Sequence, residues 1–286
     1  MPADAERPPL TRTARFAWGA VAVLLVGVIA LVVYALTDTP VTVRVVHRTA
    51  TAKGVLHTLA TVPATAFDQV GVSAPGTGLT APTVLPASGT APSGRPTVLF
   101  VGAEYCPFCA AERWSVVVAL SRFGTFGSLD NMQSSATSVF PGVQTFSFVH
   151  ATYTSRYLTF DPVELYSNVP DSDGVYTRIA VLTPSQQAQV NRYGATDRGA
   201  AGSFPFVDVG NRVVSSTAAF SPAPLAKLDQ STIVTGLATP TTPASKAILA
   251  SANELTAGIC ATTGQQPSAV CDSKGVRTAD AALGLG

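Results

Sequence analysis

The sequence predicts a mixed α/β domain organised around a strand-to-helix junction, on three observations. The run PTVLFV at 96–101 is short, continuously apolar and rich in strand formers, as a strand buried on both faces of a parallel or mixed sheet would be. It leads into Cys106-Pro107-Phe108-Cys109 and then a helix-length stretch at 110–123, ended by Gly124. A second apolar run, TFSFVH at 145–150, follows, so the order strand, helix, strand predicts a βαβ unit with a right-handed crossover.

The Cys-x-x-Cys spacing carries the chemistry. With Pro107 in a first-turn position, where its missing N–H is not needed, Cys106 falls at the helix start and Cys109 one turn in. Unpaired N–H groups and the helix dipole stabilise a thiolate there, and the thiolate is the nucleophile of disulfide exchange. The competing readings are an inert disulfide or half of a zinc site. Zinc would need a second Cys/His pair at short spacing, whereas Cys260 and Cys271 lie far downstream with ten residues between them, so no metal is expected.

Of 286 residues, 47% are hydrophobic and only 12% charged, and part of that apolar content is not core. Residues 17–36 carry no charge, enough to cross about 30 Å of hydrocarbon as a helix. Arg7, Arg12 and Arg15 precede the span and Asp38 follows it, which places residues 1–16 in the cytoplasm and the rest outside the cell membrane. Trp18 and Tyr34 are its interfacial anchors. A cleaved signal peptide has an apolar region of about 7–15 residues and a small-x-small site, so the length favours an uncleaved signal-anchor. Net charge is +1 with scattered basic residues, which excludes a nucleic-acid partner.

Residues 37–94 read as a spacer with Arg44, His47 and Arg48 solvated or at lipid headgroups, two short amphipathic helices broken at Pro63, and a Gly/Pro/Ser/Thr-rich linker at 71–94. His57 is expected at the surface. Residues 151–202 read as irregular apart from a helix at 183–193, capped by Thr183 or Ser185 and stopped at Gly194. Residues 203–214 read as a hairpin turning at Gly210-Asn211, with Pro205 at its start. A helix through Leu225, Leu228, Ile233, Val234 and Leu237, a Pro/Thr hinge at 239–243, a helix at 244–257 and a disordered end at 272–286 complete the chain. In an oxidising compartment Cys260 and Cys271 are expected to form a structural disulfide, the alternative being a second redox pair feeding the first. His150 is expected as a satisfied strand-end histidine and Trp114 as helix packing.

A strand leading into Cys-x-x-Cys, a second βα region, then x-Pro, an apolar strand, a glycine turn and another strand resembles the thioredoxin fold over roughly residues 95–235. More narrowly, GAEYCPFCAAERW, FPFVDVGN and ANELTAGIC…VC look similar to a family of membrane-anchored thioredoxin-like proteins of prokaryotes with no established reaction. The resemblance implies a central mixed sheet flanked by helices at 95–238, with an insertion at about 151–202 and a C-terminal helix and disulfide-tied tail at 239–286. It further implies that Cys106 attacks, that Cys109 resolves the mixed disulfide, and that a cis Pro205 shapes a substrate groove with Phe204, Tyr105, Pro107 and Phe108. Thioredoxins carry a buried acid where this chain has Phe100. Glu104 is expected on an exposed loop, so proton transfer is expected to go through water or Glu112. Pro-Phe between the cysteines predicts an intermediate redox poise.

The resulting expectation is a membrane-anchored extracytoplasmic thiol–disulfide oxidoreductase without a cofactor. It would act on thiols and disulfides of exported proteins, be recycled by a membrane redox partner, and meet the bilayer through 17–36. The alternative is a non-catalytic binding or scaffold module of the same fold.

Overall fold

The apolar run at 96–101 forms β3 (Thr97–Gly102), an interior strand of a five-stranded mixed sheet. The computed structural model describes residues 48–74, 76–86, 94–194 and 204–286; the expected tail at 1–16 and membrane segment at 17–36 lie outside them. Among the described residues no helix is long and apolar enough to cross a membrane.

The order in the main sheet is β2 (Thr83–Val84), β10 (Val213–Ser215), β9 (Phe206–Val209), β3 and β6 (Thr159–Glu164). β3 runs parallel to β6 and antiparallel to β9. Side chains alternate across a strand, and here the alternation separates two cores. Val98 and Phe100 join Val207, Val209 and Val213 in the larger one, while Leu99 and Val101 join Val163, Phe206 and Val214 in the smaller. On the large-core face lie α3 (Pro107–Leu120) and α6 (Pro243–Thr262), packed on each other. The other face is covered through Val190 of α4 (Pro184–Tyr193). Thr183 with Gln186 and Thr242 with Ser245 form capping boxes, and Gly194 ends α4 as expected.

A second, three-stranded sheet holds β1 (Thr49–Ala50), β4 (Gly124–Gln133) and β5 (Gln144–Ser155). This corrects the predicted βαβ unit. The apolar run at 145–150 pairs antiparallel with β4, and the strand parallel to β3 is β6, inside the stretch expected to be irregular. A short hairpin, β7 (Tyr166–Pro170) and β8 (Tyr176–Arg178), follows. The linker read at 71–94 contributes β2 at the opposite sheet edge.

The two short helices α1 (Lys53–Ala60) and α2 (Ala64–Gln69) flank Pro63, and His57 is exposed. In the C-terminal half, α5 (Gln230–Leu237) is capped by the Asp229 side chain, and α6 is longer than the predicted 244–257. Residues 272–286 are not a disordered end. After α7 (Ser268–Cys271), α8 (Lys274–Leu283) buries Gly275, Val276 and Ala279. A Cβ at Gly275 would come within 2.7 Å of the Phe67 carbonyl, so only glycine permits this close docking. Cys260 and Cys271 form a disulfide, both buried, that joins α6 to α7.

Candidate functional site: a buried cysteine pair above an ionic cluster

Beyond Gly102 the chain turns through residues 103–106 into α3. Cys106 is the N-cap, with extended φ and ψ, and Pro107 follows at the first helical position. Its sulfur replaces the usual cap oxygen and accepts from the Cys109 N–H at 3.2 Å. Cys106 retains 7% exposure and Cys109 none, and both are free thiols. Cys109 lies over the strand: a Cβ on Gly102 would stand 3.5 Å from Cys109 Sγ and 2.6 Å from the Phe100 ring, so glycine leaves the room that sulfur and ring occupy.

The two thiols are driven apart. The hydrogen bond from the Cys109 side chain, opposed by burial but assisted by the Cys109 N–H, the Arg113 charge and the Phe108 N–H, holds Cys106 below the ordinary thiol range. Burial first, then the bond to Cys106 and its charge, push Cys109 well above that range. The pair is therefore set up so that the outer sulfur gives up its proton before the inner one does.

Aromatic side chains border Cys106. Tyr105 stacks on Tyr176, with centroids 4.0 Å apart, and meets Phe204 edge-on at 6.0 Å. Burial, reinforced by Cys106 and Cys109, raises the Tyr105 hydroxyl to about 12. The β4–β5 loop is fastened to the same place, because Ser135 donates its N–H to the Tyr105 carbonyl and its hydroxyl takes the Tyr176 O–H. Phe108, 39% exposed, contacts Phe140 from that loop. The Phe204–Pro205 bond is cis. Val101 pairs with Phe206, so one step along the register brings Pro205 opposite Gly102, beside the motif. Cys106, Cys109, Tyr105, Pro107, Phe108, Phe204 and Pro205 are thus brought together.

Glu112 is bonded to the backbone of a distant segment. It is fully buried, accepts from the Ala219 N–H at 2.8 Å, and is raised to about 7 by burial, with a further push from Glu254. A carboxyl whose folded value exceeds its unfolded 4.5 keeps its proton longer in the folded state. Stability is then full below about 4.5 and falls as pH rises to about 7, by about 3 kcal/mol at most. Glu112→Gln should remove that component: relative to wild type, urea midpoints should gain from pH 5 to pH 8. An equal pH dependence in both proteins would refute the assignment.

The ionic cluster beneath the pair was not anticipated. Glu104, expected on an exposed loop, is fully buried because Arg48 reaches it with Nε and Nη2, both at 2.6 Å, while Ser147 donates to the same carboxylate. Arg48 is accordingly paired with Glu104 rather than free in solvent. Arg113, also fully buried, donates Nε and Nη2 to Glu164 at 2.8 and 2.7 Å and Nη2 to the Ala103 carbonyl at 2.9 Å. The available signal was the single cation of a helix whose other polar residues are Glu112 and Ser115, four residues after Cys109 and so on its face. His150 is exposed and bonded to Asp130, and Trp114 is buried with its indole N–H on the Gln144 carbonyl. Among the described residues no group of three or more His, Cys, Asp or Glu could hold a metal.

No curated protein and no solved structure matches the chain. Residues 85–261, more than half of its length and including both cysteines of the motif, match the family described as "Domain of unknown function (DUF929)", and the chain belongs to that family.

Proposed function

We propose that this protein is a membrane-anchored, extracytoplasmic thiol–disulfide oxidoreductase on a thioredoxin-like fold, acting on exported proteins through Cys106 and Cys109. The observation that carries this reading is the asymmetry of the pair. The outer sulfur is at a helix N-cap and favours its thiolate, and the inner one is fully buried and protonated. Further support comes from the order β10-β9-β3-β6, with a helix leaving β3 at the cysteines and cis Pro205 before β9. The apolar span at 17–36 supports the anchored location, with a membrane partner recycling the pair.

In this reading the Cys106 thiolate attacks one sulfur of a client disulfide and the other leaves as a client thiolate. Cys109 then gives up its proton and attacks Cys106 Sγ, which releases the second client sulfur and leaves the Cys106–Cys109 disulfide. Run backwards, the same steps oxidise a client dithiol. Tyr105, Phe108 and Phe204 border the groove in which a client segment lies beside Pro205. Cys109→Ala should stall the sequence, so that non-reducing gels of membranes show adducts that vanish on reduction and on further replacement of Cys106. Absence of adducts, together with no exchange by wild type, would leave a binding or scaffold module.

A further inference from the structure

Three features of the ionic cluster bear on the direction of the chemistry. Arg113 has no exposure, and its Nη1 has no hydrogen-bond partner among the described residues. Its guanidinium carbon stands 5.6 Å from the centroid of the Phe100 ring, the ring that borders Gly102 next to Cys109 Sγ. The nearby acids are already engaged, Glu164 by Nε and Nη2 of Arg113 itself and Glu104 by Arg48 and Ser147. Arg113, one turn after Cys109 on the same helix and against the ring beside its sulfur, is thus a buried cation with one unpaired donor, where a protein interior screens charge far less than water does.

We propose that Arg113 is a positioning residue that acts through Cys106 and biases the pair toward accepting electrons, so that the protein oxidises dithiols of exported clients. The proposal rests on the exchange reading above. A disulfide is neutral, and only the reduced pair carries an anion for Arg113 to stabilise. Favouring the thiolate therefore favours breaking the Cys106–Cys109 bond. In the reaction two client thiols lose two electrons and two protons and form a client disulfide. The Cys106–Cys109 bond takes both electrons and breaks; one proton stays on Cys109 and the other goes to water. A small-molecule disulfide, glutathione disulfide in the assay, restores the oxidised pair. The Pro-Phe dipeptide alone predicts an intermediate poise, and the buried cation moves it to the oxidising side.

Two variants of opposite sign test this. Full-length protein in detergent is equilibrated with mixtures of reduced and oxidised glutathione and scored by thiol alkylation, and the Cys106 titration is followed by the pH dependence of its alkylation rate. Glu164→Gln keeps an acceptor for Arg113 but removes the compensating charge. It should shift the equilibrium about tenfold toward the dithiol and move the Cys106 titration down. Arg113→Met combined with Glu164→Gln should shift both about tenfold the other way. A purely structural role predicts no such reversal. Shifts of the same sign, or no change in either variant, overturn the proposal. If the double variant fails to fold, Glu164→Gln alone decides, since an unchanged or reversed shift refutes the role of Arg113. Wild type that never equilibrates with glutathione would instead overturn the exchange reading itself.

Discussion

Cys106→Ser is expected to slow exchange with a chromogenic disulfide by about three orders of magnitude or more, the scale of loss when a covalent nucleophile is removed. The substitution is nearly isosteric at a position with 7% exposure, so the urea midpoint should move little. Cys109→Ser should behave differently, because the outer thiolate is retained. The first attack should proceed at a rate within about tenfold of wild type, and release should fail. The contrast follows from burial: a client sulfur can approach Cys106 but has no direct access to Cys109. In wild type the alkylation rate of Cys106 should rise with pH with its midpoint below 9.0, the ordinary thiol value, because hydrogen bonds and the Arg113 charge favour its thiolate. A Cys106→Ser protein that kept a tenth of the wild-type rate would remove Cys106 from the mechanism.

The elements legible in the sequence were those whose signals are local. β3 announced itself as an apolar run, α3 by Pro107 and its length, α4 by a Thr cap, and the β9–β10 hairpin by Gly210-Asn211, both of which have positive φ. The parallel partner of β3 was hidden because β6 reads TFDPVE, with a proline and two acids. It is an edge strand, where proline costs no ladder bond on the open side, and its Glu164 is buried only by virtue of Arg113. The run at 145–150 is the more hydrophobic of the two, and apolar content does not distinguish a parallel partner of β3 from a strand of the second sheet. α8 was missed for a related reason. Its buried residues are a glycine, an alanine and one valine, too small to show as a stripe, and they matter only because α2 and α6 lie close by.

The site divides in the same way. Cys106, Cys109 and the aromatic and proline residues beside them could be placed from the motif and the x-Pro hairpin. The charges beneath them could not, since Glu104 is buried by a partner 56 positions earlier and Arg113 by one 51 positions later. Proximity in the fold, with no sequence signature, joins them.

Removing the cation alone should expose the energetic side of this arrangement. Arg113→Met leaves Glu164 buried without its cation and frees the Ala103 carbonyl, a change expected to cost about 3–5 kcal/mol, or roughly 6–20 °C in midpoint for a domain of this size. The cost should depend on pH in a fixed direction. Burial already raises Glu164, and without Arg113 it rises further, so the folded variant holds a proton that the unfolded chain gives up. Destabilisation relative to wild type should then be small near the unfolded value of 4.5 and grow as pH rises above it, which urea melts at pH 5 and pH 8 would resolve. Replacing both residues with Met and Leu should recover most of the loss, since an apolar pair of similar volume is often as stable as a buried ion pair. The double variant should nevertheless fail to restore the Cys106 titration. A stable domain with an altered thiol would mean that the pair is kept for its field at the sulfurs, whereas full recovery of both properties would reduce Arg113 to a packing residue.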